Sequence, residues 1–235
     1  MKRMNCHLAV VAAVALLPFA ASAQQTQQTQ QTQQTRQTQQ TWQHFNGDLK
    51  AQKYSPLTQM TPENLAVAWK VHTGDKSTGS GLVRVSGSHV GEPSSSPGKT
   101  PATVWSATPL FVNETLYLGT PFYRIFALEP DTGKIKWTYD TKAVLEALTQ
   151  PDLKNRGVAY WQADTPAAGQ ACQKRIYIGT MDAKLHSVDA DSGKPCTDFG
   201  SGGVVDVNQW NLLNAKWPLS LLQPPTVFRD YLFVG

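Results

Sequence analysis

Leu116-Tyr117-Leu118-Gly119-Thr120, with Ala127-Leu128-Glu129-Pro130-Asp131-Thr132-Gly133-Lys134 closing the same stretch, aligns without gaps on a second segment. That segment runs from Ile176-Tyr177-Ile178-Gly179-Thr180 to Ser187-Val188-Asp189-Ala190-Asp191-Ser192-Gly193-Lys194. The offset is 60 residues throughout, from Leu116 to Ile176. Tyr117/Tyr177, Gly119/Gly179, Thr120/Thr180, Asp131/Asp191, Gly133/Gly193 and Lys134/Lys194 are identical. Repeats of short strands at this spacing indicate the blades of a β-propeller, or a related array. A third copy starts at Pro224-Pro225-Thr226, in the place of Thr108-Pro109-Leu110, and reaches Leu232-Phe233-Val234-Gly235. A blade buries its faces against its neighbours, so a few blades do not close a ring. A third copy cut inside a hairpin also leaves an open apolar edge. The expectation is an all-β propeller of four-stranded blades, with residues 42–235 its N-terminal part, truncated within a blade.

Within the first copy the alternation predicts strands at Leu110–Val112, Leu116–Gly119, Ile125–Leu128 and Ile135–Tyr139, with turns at Asn113-Glu114 and Asp131–Lys134. Asp140–Leu148 reads as a short helix capped by Asp140 or Thr141 and ended by Pro151. Upstream, Thr61-Pro62-Glu63 has the pattern of a helix start, a capping Thr followed by Pro. Val67, Trp69 and Val71 alternate as a strand does. Gly74 to Val104 is a polar stretch rich in Gly, Ser and Pro, which reads either as a cover over a site or as a plain insertion.

The N-terminus carries Lys2 and Arg3, an apolar run from Leu8 to Leu17, Pro18 and the small triplet Ala21-Ser22-Ala23. These are the parts of a secretory signal peptide over residues 1–23, and the run is too short to span a membrane. Gln24 to Thr41 is almost wholly Gln and Thr and reads as a disordered tether. The full chain has 21 Lys+Arg against 17 Asp+Glu; loss of Lys2 and Arg3 leaves 19 against 17, or +2. No basic cluster exists to track a nucleic-acid backbone, and that class of partner is set aside.

Cleavage would also remove Cys6, leaving Cys172 and Cys196, which bracket the second repeat. An even count in an oxidising compartment reads as a disulfide, the alternative being two buried free thiols. No His/Cys cluster offers a zinc ligand set. His44, His72, His89 and His186 read as packing or surface residues. Gly200-Ser201-Gly202-Gly203 follows Phe199 in a turn and lacks the helix of a phosphate loop. Asn113-Glu114-Thr115 matches a glycosylation acceptor, but chance is the better reading for a tight hairpin.

Several segments together resemble one family. They are Trp42-Gln43-His44-Phe45-Asn46-Gly47-Asp48 with Lys53–Leu57, Asn64–Trp69 with His72–Asp75, Ala107–Leu110, Ala127–Trp137, Asn155-Arg156-Gly157-Val158-Ala159-Tyr160-Trp161 and Gly193–Gly200. In this order they look like the PQQ-dependent quinoprotein dehydrogenases, in particular the glucose/quinate type. The resemblance implies an eight-bladed propeller holding PQQ beside a divalent metal, usually calcium. It implies oxidation of an alcohol or sugar hydroxyl, with electrons passed to a quinone or cytochrome. A periplasmic location is expected, and peripheral association with the inner membrane is compatible with it.

The same resemblance assigns Arg156 to the cofactor, because a guanidinium fork suits an anionic quinone bearing three carboxylates. Asp152 stands where the glucose enzymes carry a histidine, which puts glucose in doubt as substrate. The adjacent cysteines of the methanol-type enzymes have no counterpart here. The metal ligands and catalytic aspartate are expected beyond Gly235, so none of the 17 acidic residues takes those roles and the piece alone is expected to be inactive. The blade-docking pattern is met by Ala127, Gly133 and Trp137. In the second copy Ser187 replaces the alanine and Phe199 is the nearest aromatic, so that blade is expected to dock less regularly. The rival reading is a cofactor-free propeller scaffold for protein interaction in the periplasm, which has no use for Arg156 in its motif.

Overall fold

The computed structural model describes residues 41–55, 57–76, 102–144, 153–167, 169–210 and 219–235. Its elements follow the repeat. Strands β1 (Thr103–Thr108), β2 (Leu110–Val112), β3 (Thr115–Gly119), β4 (Arg124–Leu128), β5 (Ile135–Asp140) and β6 (Leu153–Gly157) come first. Then come β7 (Ala159–Gln162), β8 (Lys174–Gly179), β9 (Lys184–Asp189), β10 (Val204–Asp206), a 3-10 turn (Val207–Trp210), β11 (Thr226–Phe228) and β12 (Tyr231–Phe233). Strands β2-β3-β4-β5 form one four-stranded antiparallel sheet and β7-β8-β9-β10 another, while β11-β12 is a hairpin. The two four-stranded sheets are propeller blades, with the β11-β12 hairpin packed beside the second.

Local chemistry explains the connections. Asn113 and Glu114 both take positive φ, 49° and 53°, the geometry of a two-residue hairpin turn. Tyr123 and Ala183, one repeat apart, also take positive φ, 57° and 58°. Their turns are closed by the same bonds: Tyr123 N–H to Thr120 O and Ala183 N–H to Thr180 O.

Side-chain alternation makes each sheet two-faced. Leu110, Tyr117 and Ala127 lie opposite one another across the first sheet, and pack with Tyr160, Ile176 and Val188 of the second into one core. The other face of the second sheet, with Ala159 and Tyr177, packs in a cluster that includes Val227 and Leu232 of the hairpin. A sheet buried on both sides by other sheets is what a propeller requires. The far face of the first sheet, with Leu116, Leu118 and Leu128, lines an apolar cavity of about 440 Å³ together with Trp69, Val71 and Trp105.

Several expectations change. Thr61-Pro62-Glu63 forms a single turn and not a helix. Asn64 N–H closes it on Thr61 O at 3.1 Å, and the Asn64 side chain binds Thr61 N–H and Gln59 O, folding the chain back on itself. Val67–Val71 has no ladder partner among the described residues, so its alternation produces an extended segment and not a strand. Asp140 ends β5, its carboxylate accepts Lys142 N–H, and Thr141–Val144 are irregular. The rest of that helix, the signal peptide, residues 24–40 of the tether, Asp152, His89 and residues 77–101 of the polar stretch lie outside the described residues. At the end of that stretch, Thr103 and Val104 belong to β1, a strand the sequence did not suggest.

Cys172 and Cys196 are joined by a disulfide, with Cα atoms 5.8 Å apart. It ties the start of β8 to the excursion at 195–203 that separates β9 from β10. In that excursion a Cβ on Gly200 would stand 2.2 Å from Val204 O, which is why glycine sits there. Phe199 packs on Tyr177 edge-to-face at 5.5 Å, matching the 5.9 Å pair of Tyr117 and Trp137 in the first copy. The aromatic therefore keeps its partner although it reaches it from a longer loop. The Asn113 amide donates to Tyr160 Oη at 2.7 Å, tying the hairpin turn to the next blade.

Candidate functional site

The segments that lead into the innermost strand of each blade lie side by side. β1 precedes β2, β6 precedes β7, and Leu219–Leu222 precedes β11. β1 and β6 pair in parallel, with Thr103 opposite Leu153, Val104 opposite Lys154 and Trp105 opposite Asn155. Arg156 N–H then donates to Leu222 O at 3.1 Å, adding the third segment. The result is a short parallel ribbon across the ends of three consecutive blades.

Burial alternates along β6 with period two: Leu153, Asn155 and Gly157 are buried, Lys154 and Arg156 half-exposed. Asn155 fixes the register. It is 1% exposed and its Oδ1 accepts Gly157 N–H at 2.9 Å. It also occupies the space beside Gly119, where an added Cβ would lie 2.4 Å from that Oδ1. Ser106 Oγ donates to Asn155 O at 3.3 Å. Gly157, at φ +143°, lets the backbone pass Thr108 O, 3.1 Å from where a Cβ would be. So Arg156 is presented from a strand held on both sides.

The guanidinium of Arg156 is distinctive. Arg124 is ion-paired with Asp75 and lies over the Phe126 ring; Arg175 pairs with Asp198 and lies over Trp161; Arg229 lies over Phe228. Among the described residues Arg156 has neither a carboxylate nor a ring. A half-buried, unpartnered guanidinium on a rigid strand suits a planar anionic ligand.

Other candidates are structural. His186 is buried between the sheets, its Nδ1 3.0 Å from Tyr139 Oη, and burial lowers its pKa to about 4. His44 is partly buried, which lowers its pKa; the nearby Asp48 carboxylate opposes that shift. Among the described residues, Cys172, Cys196 and Asp198 bring three potential ligand groups together, but the disulfide uses both sulfurs. Sequence reasoning missed the positioning part played by Asn155. Its signal was present: a small glycine at the end of β3, conserved in form between the two copies as Gly119 and Gly179, marks where a lead-in residue presses on the sheet. At Gly179 that residue is Leu221, whose Cβ lies 2.4 Å from an added Cβ.

Residues 42–235 match the sequence profile of the family described as PQQ: glucose/ethanol/alcohol dehydrogenase, beta-propeller domain. The chain belongs to this PQQ beta-propeller family. Among its relatives is the quinate/shikimate dehydrogenase (quinone) of Acinetobacter baylyi, 29% identical over 83% of this chain and 24% of that protein. The quinoprotein glucose dehydrogenase of Escherichia coli is 31% identical over 82% of this chain and 23% of its own length. The chain thus spans about a quarter of the curated relatives it matches. The quinohemoprotein alcohol dehydrogenase of Comamonas testosteroni superposes with a TM-score of 0.54 at 20% identity, covering 83% of this chain and 23% of that one. That likeness supports the propeller fold of this PQQ-family chain.

Proposed function

We propose that this chain forms the first blades of a periplasmic PQQ-dependent dehydrogenase that oxidises a hydroxyl of a sugar, polyol or other alcohol and passes the electrons to a quinone or cytochrome. The observation that carries the reading is Arg156, unpartnered among the described residues and held on the β1–β6 ribbon inside the family's Asn-Arg-Gly motif. Bound PQQ would supply the two-electron acceptor, with a divalent metal, calcium in this proposal, polarising its carbonyl. This chain's own contribution is binding and orientation. Asn155 fixes the strand, and Arg156 directs its N–H fork at a carboxylate. The Leu153 side of β6 seals against the blade. A general base is assigned to none of the residues here. The export signal read in residues 1–23 supports the periplasmic setting.

The test is reconstitution of the native full-length protein with PQQ and calcium, followed by dye reduction with glucose, glycerol and quinate. The expected result is dye reduction with at least one of them that depends on added PQQ. No turnover with any hydroxyl substrate, together with no PQQ uptake, would overturn the proposal and favour a scaffold.

A further inference from the structure

Strand alternation places a second cation beside the first. Lys154 and Arg156 are i and i+2 on β6, so their side chains leave the same face of the ribbon from Cα atoms roughly 6.6 Å apart. Both are half-exposed, while Leu153 and Asn155 between and before them are buried. Among the described residues neither Lys154 nor Arg156 has a carboxylate or a side-chain hydrogen bond. Lys174 and Lys184, the half-exposed lysines at strand starts in the second sheet, differ: they pair with Asp191 and Asp206. On β1, the residue opposite Lys154 is Val104, and the ladder slips between Trp105 and Thr108, opposite Arg156. Neither of these β1 positions brings a negative charge, and Asp152, two residues before Lys154, lies outside the described residues. Two like charges left together on a clamped strand repel each other, and an anion relieves that repulsion.

We propose that Lys154 is a second carboxylate-binding residue, acting with Arg156 as a two-cation cradle on the exposed face of the β1–β6 ribbon. The inference rests on the PQQ reading above and adds a residue to it. The spacing suits a ligand with more than one carboxylate, or two ligands that each bring one. Arg156 grips a carboxylate in its plane, whereas Lys154 acts as a flexible point charge. A carboxylate can come from the cofactor or from a hydroxy-acid substrate, and the experiment separates these sources.

The native full-length apo-protein would be titrated with PQQ, following quenching of tryptophan fluorescence at low and high salt. Wild type would be compared with Lys154→Gln, Lys154→Arg and, as a charge control on an exposed turn, Lys134→Gln. In a second arm, PQQ-loaded proteins would be heated with and without quinate or glycerol. If the cofactor supplies the carboxylate, Lys154→Gln weakens PQQ binding about tenfold. The gap narrows as salt rises, Lys154→Arg restores most of the affinity, and Lys134→Gln matches wild type. If the substrate supplies it, Lys154→Gln binds PQQ normally but loses the thermal protection given by quinate, while that given by glycerol stays the same. Normal PQQ binding with normal quinate protection in Lys154→Gln overturns this inference alone. Failure of the wild type to bind PQQ overturns the underlying function and this inference with it.

Discussion

The indole of Trp137 lies on Gly193, one blade further along: a Cβ at that glycine would sit 2.6 Å from the ring. The same indole donates to Ala190 O at 3.0 Å, an acceptor shared with Tyr117 Oη at 3.1 Å. Trp69 repeats the arrangement on Gly133, with a Cβ position 2.4 Å from its ring and Nε1–H donating to Pro130 O at 2.8 Å. Blades are therefore joined by a tryptophan seated on the glycine of the next Asp-x-Gly-Lys turn. The extended segment 67–75 serves the first blade as β5 serves the second. Asp75, ion-paired with Arg124 of β4, holds that segment down.

Replacing Gly193 should accordingly loosen the joint between blades. Gly193→Ala adds a methyl group against the indole at φ +70°, where a side chain is strained in any case. A loss of about 2–4 kcal/mol is expected from clash and backbone strain together. Trp137→Ala should cost about 3 kcal/mol by leaving a void and removing one of the two donors to the Ala190 carbonyl, the other being Tyr117 Oη. Urea denaturation of the native protein checks both; wild-type stability in Gly193→Ala would show that the glycine is not a docking element.

Gly119 and Asn155 form the corresponding pair at the ribbon. Gly119→Ala should displace the Asn155 side chain from Gly157 N–H and misplace Arg156 without touching it. The expected outcome is PQQ affinity reduced about tenfold, with Arg156→Lys in the same background adding little. Unchanged affinity in Gly119→Ala would remove Asn155 from the positioning role.

Much of this was legible in the sequence, for identifiable reasons. Asn113-Glu114 and the Asp-x-Gly-Lys turns are local signals, and the strands they join alternate cleanly. The Tyr117/Tyr177 repeat carries the blade arrangement, and Trp137 and Phe199 both find their tyrosine. The ribbon was not legible. Thr103–Thr108 and Leu153–Gly157 pair in parallel across about fifty residues, and parallel pairing leaves no turn signature. The alternation of Val67–Val71 read as a strand, but a strand also needs a neighbour, which periodicity does not supply, and the segment is extended without a ladder. At Thr61 the capping pattern was real, yet Asn64 used its side chain to close a single turn.

Acid should weaken the joint between the first two sheets. Burial first, and Lys184 secondarily, depress His186 to about 4 against an unfolded value of 6.5, with Asp182 opposing. The fold therefore holds His186 neutral. Its contribution is complete above about pH 6.5 and is lost as pH falls toward 4, where the unfolded chain binds the extra proton. The full loss is on the order of 3 kcal/mol. His44, also lowered by burial, acts in the same direction. Asp189 is held below its usual value by hydrogen bonds from Ser192 and the backbone that outweigh its burial, and it loses stability only at still lower pH. Denaturation of wild type and His186→Phe between pH 7 and pH 4.5 should give a steeper fall for wild type; parallel curves would contradict a neutral buried His186.

The disulfide closes a loop across a separation of 24 residues, which corresponds to about 3 kcal/mol from restricting the unfolded chain. Cys172→Ser with Cys196→Ser should lose that much. Because the bond anchors the 195–203 excursion, hydrogen exchange should rise there and in β10 before it rises in β2–β5. Uniform exchange across both sheets would mean that the excursion is held by Phe199 and Gly200 alone.

The most direct test of the whole account is equilibrium binding of PQQ to the native full-length apo-protein, wild type against Arg156→Gln, by fluorescence quenching with circular dichroism as a check of fold. The account expects saturable binding by wild type and a loss of ten- to a hundredfold in Arg156→Gln, the range for removing a charge-assisted bond. Equal affinities in two equally folded proteins would contradict it.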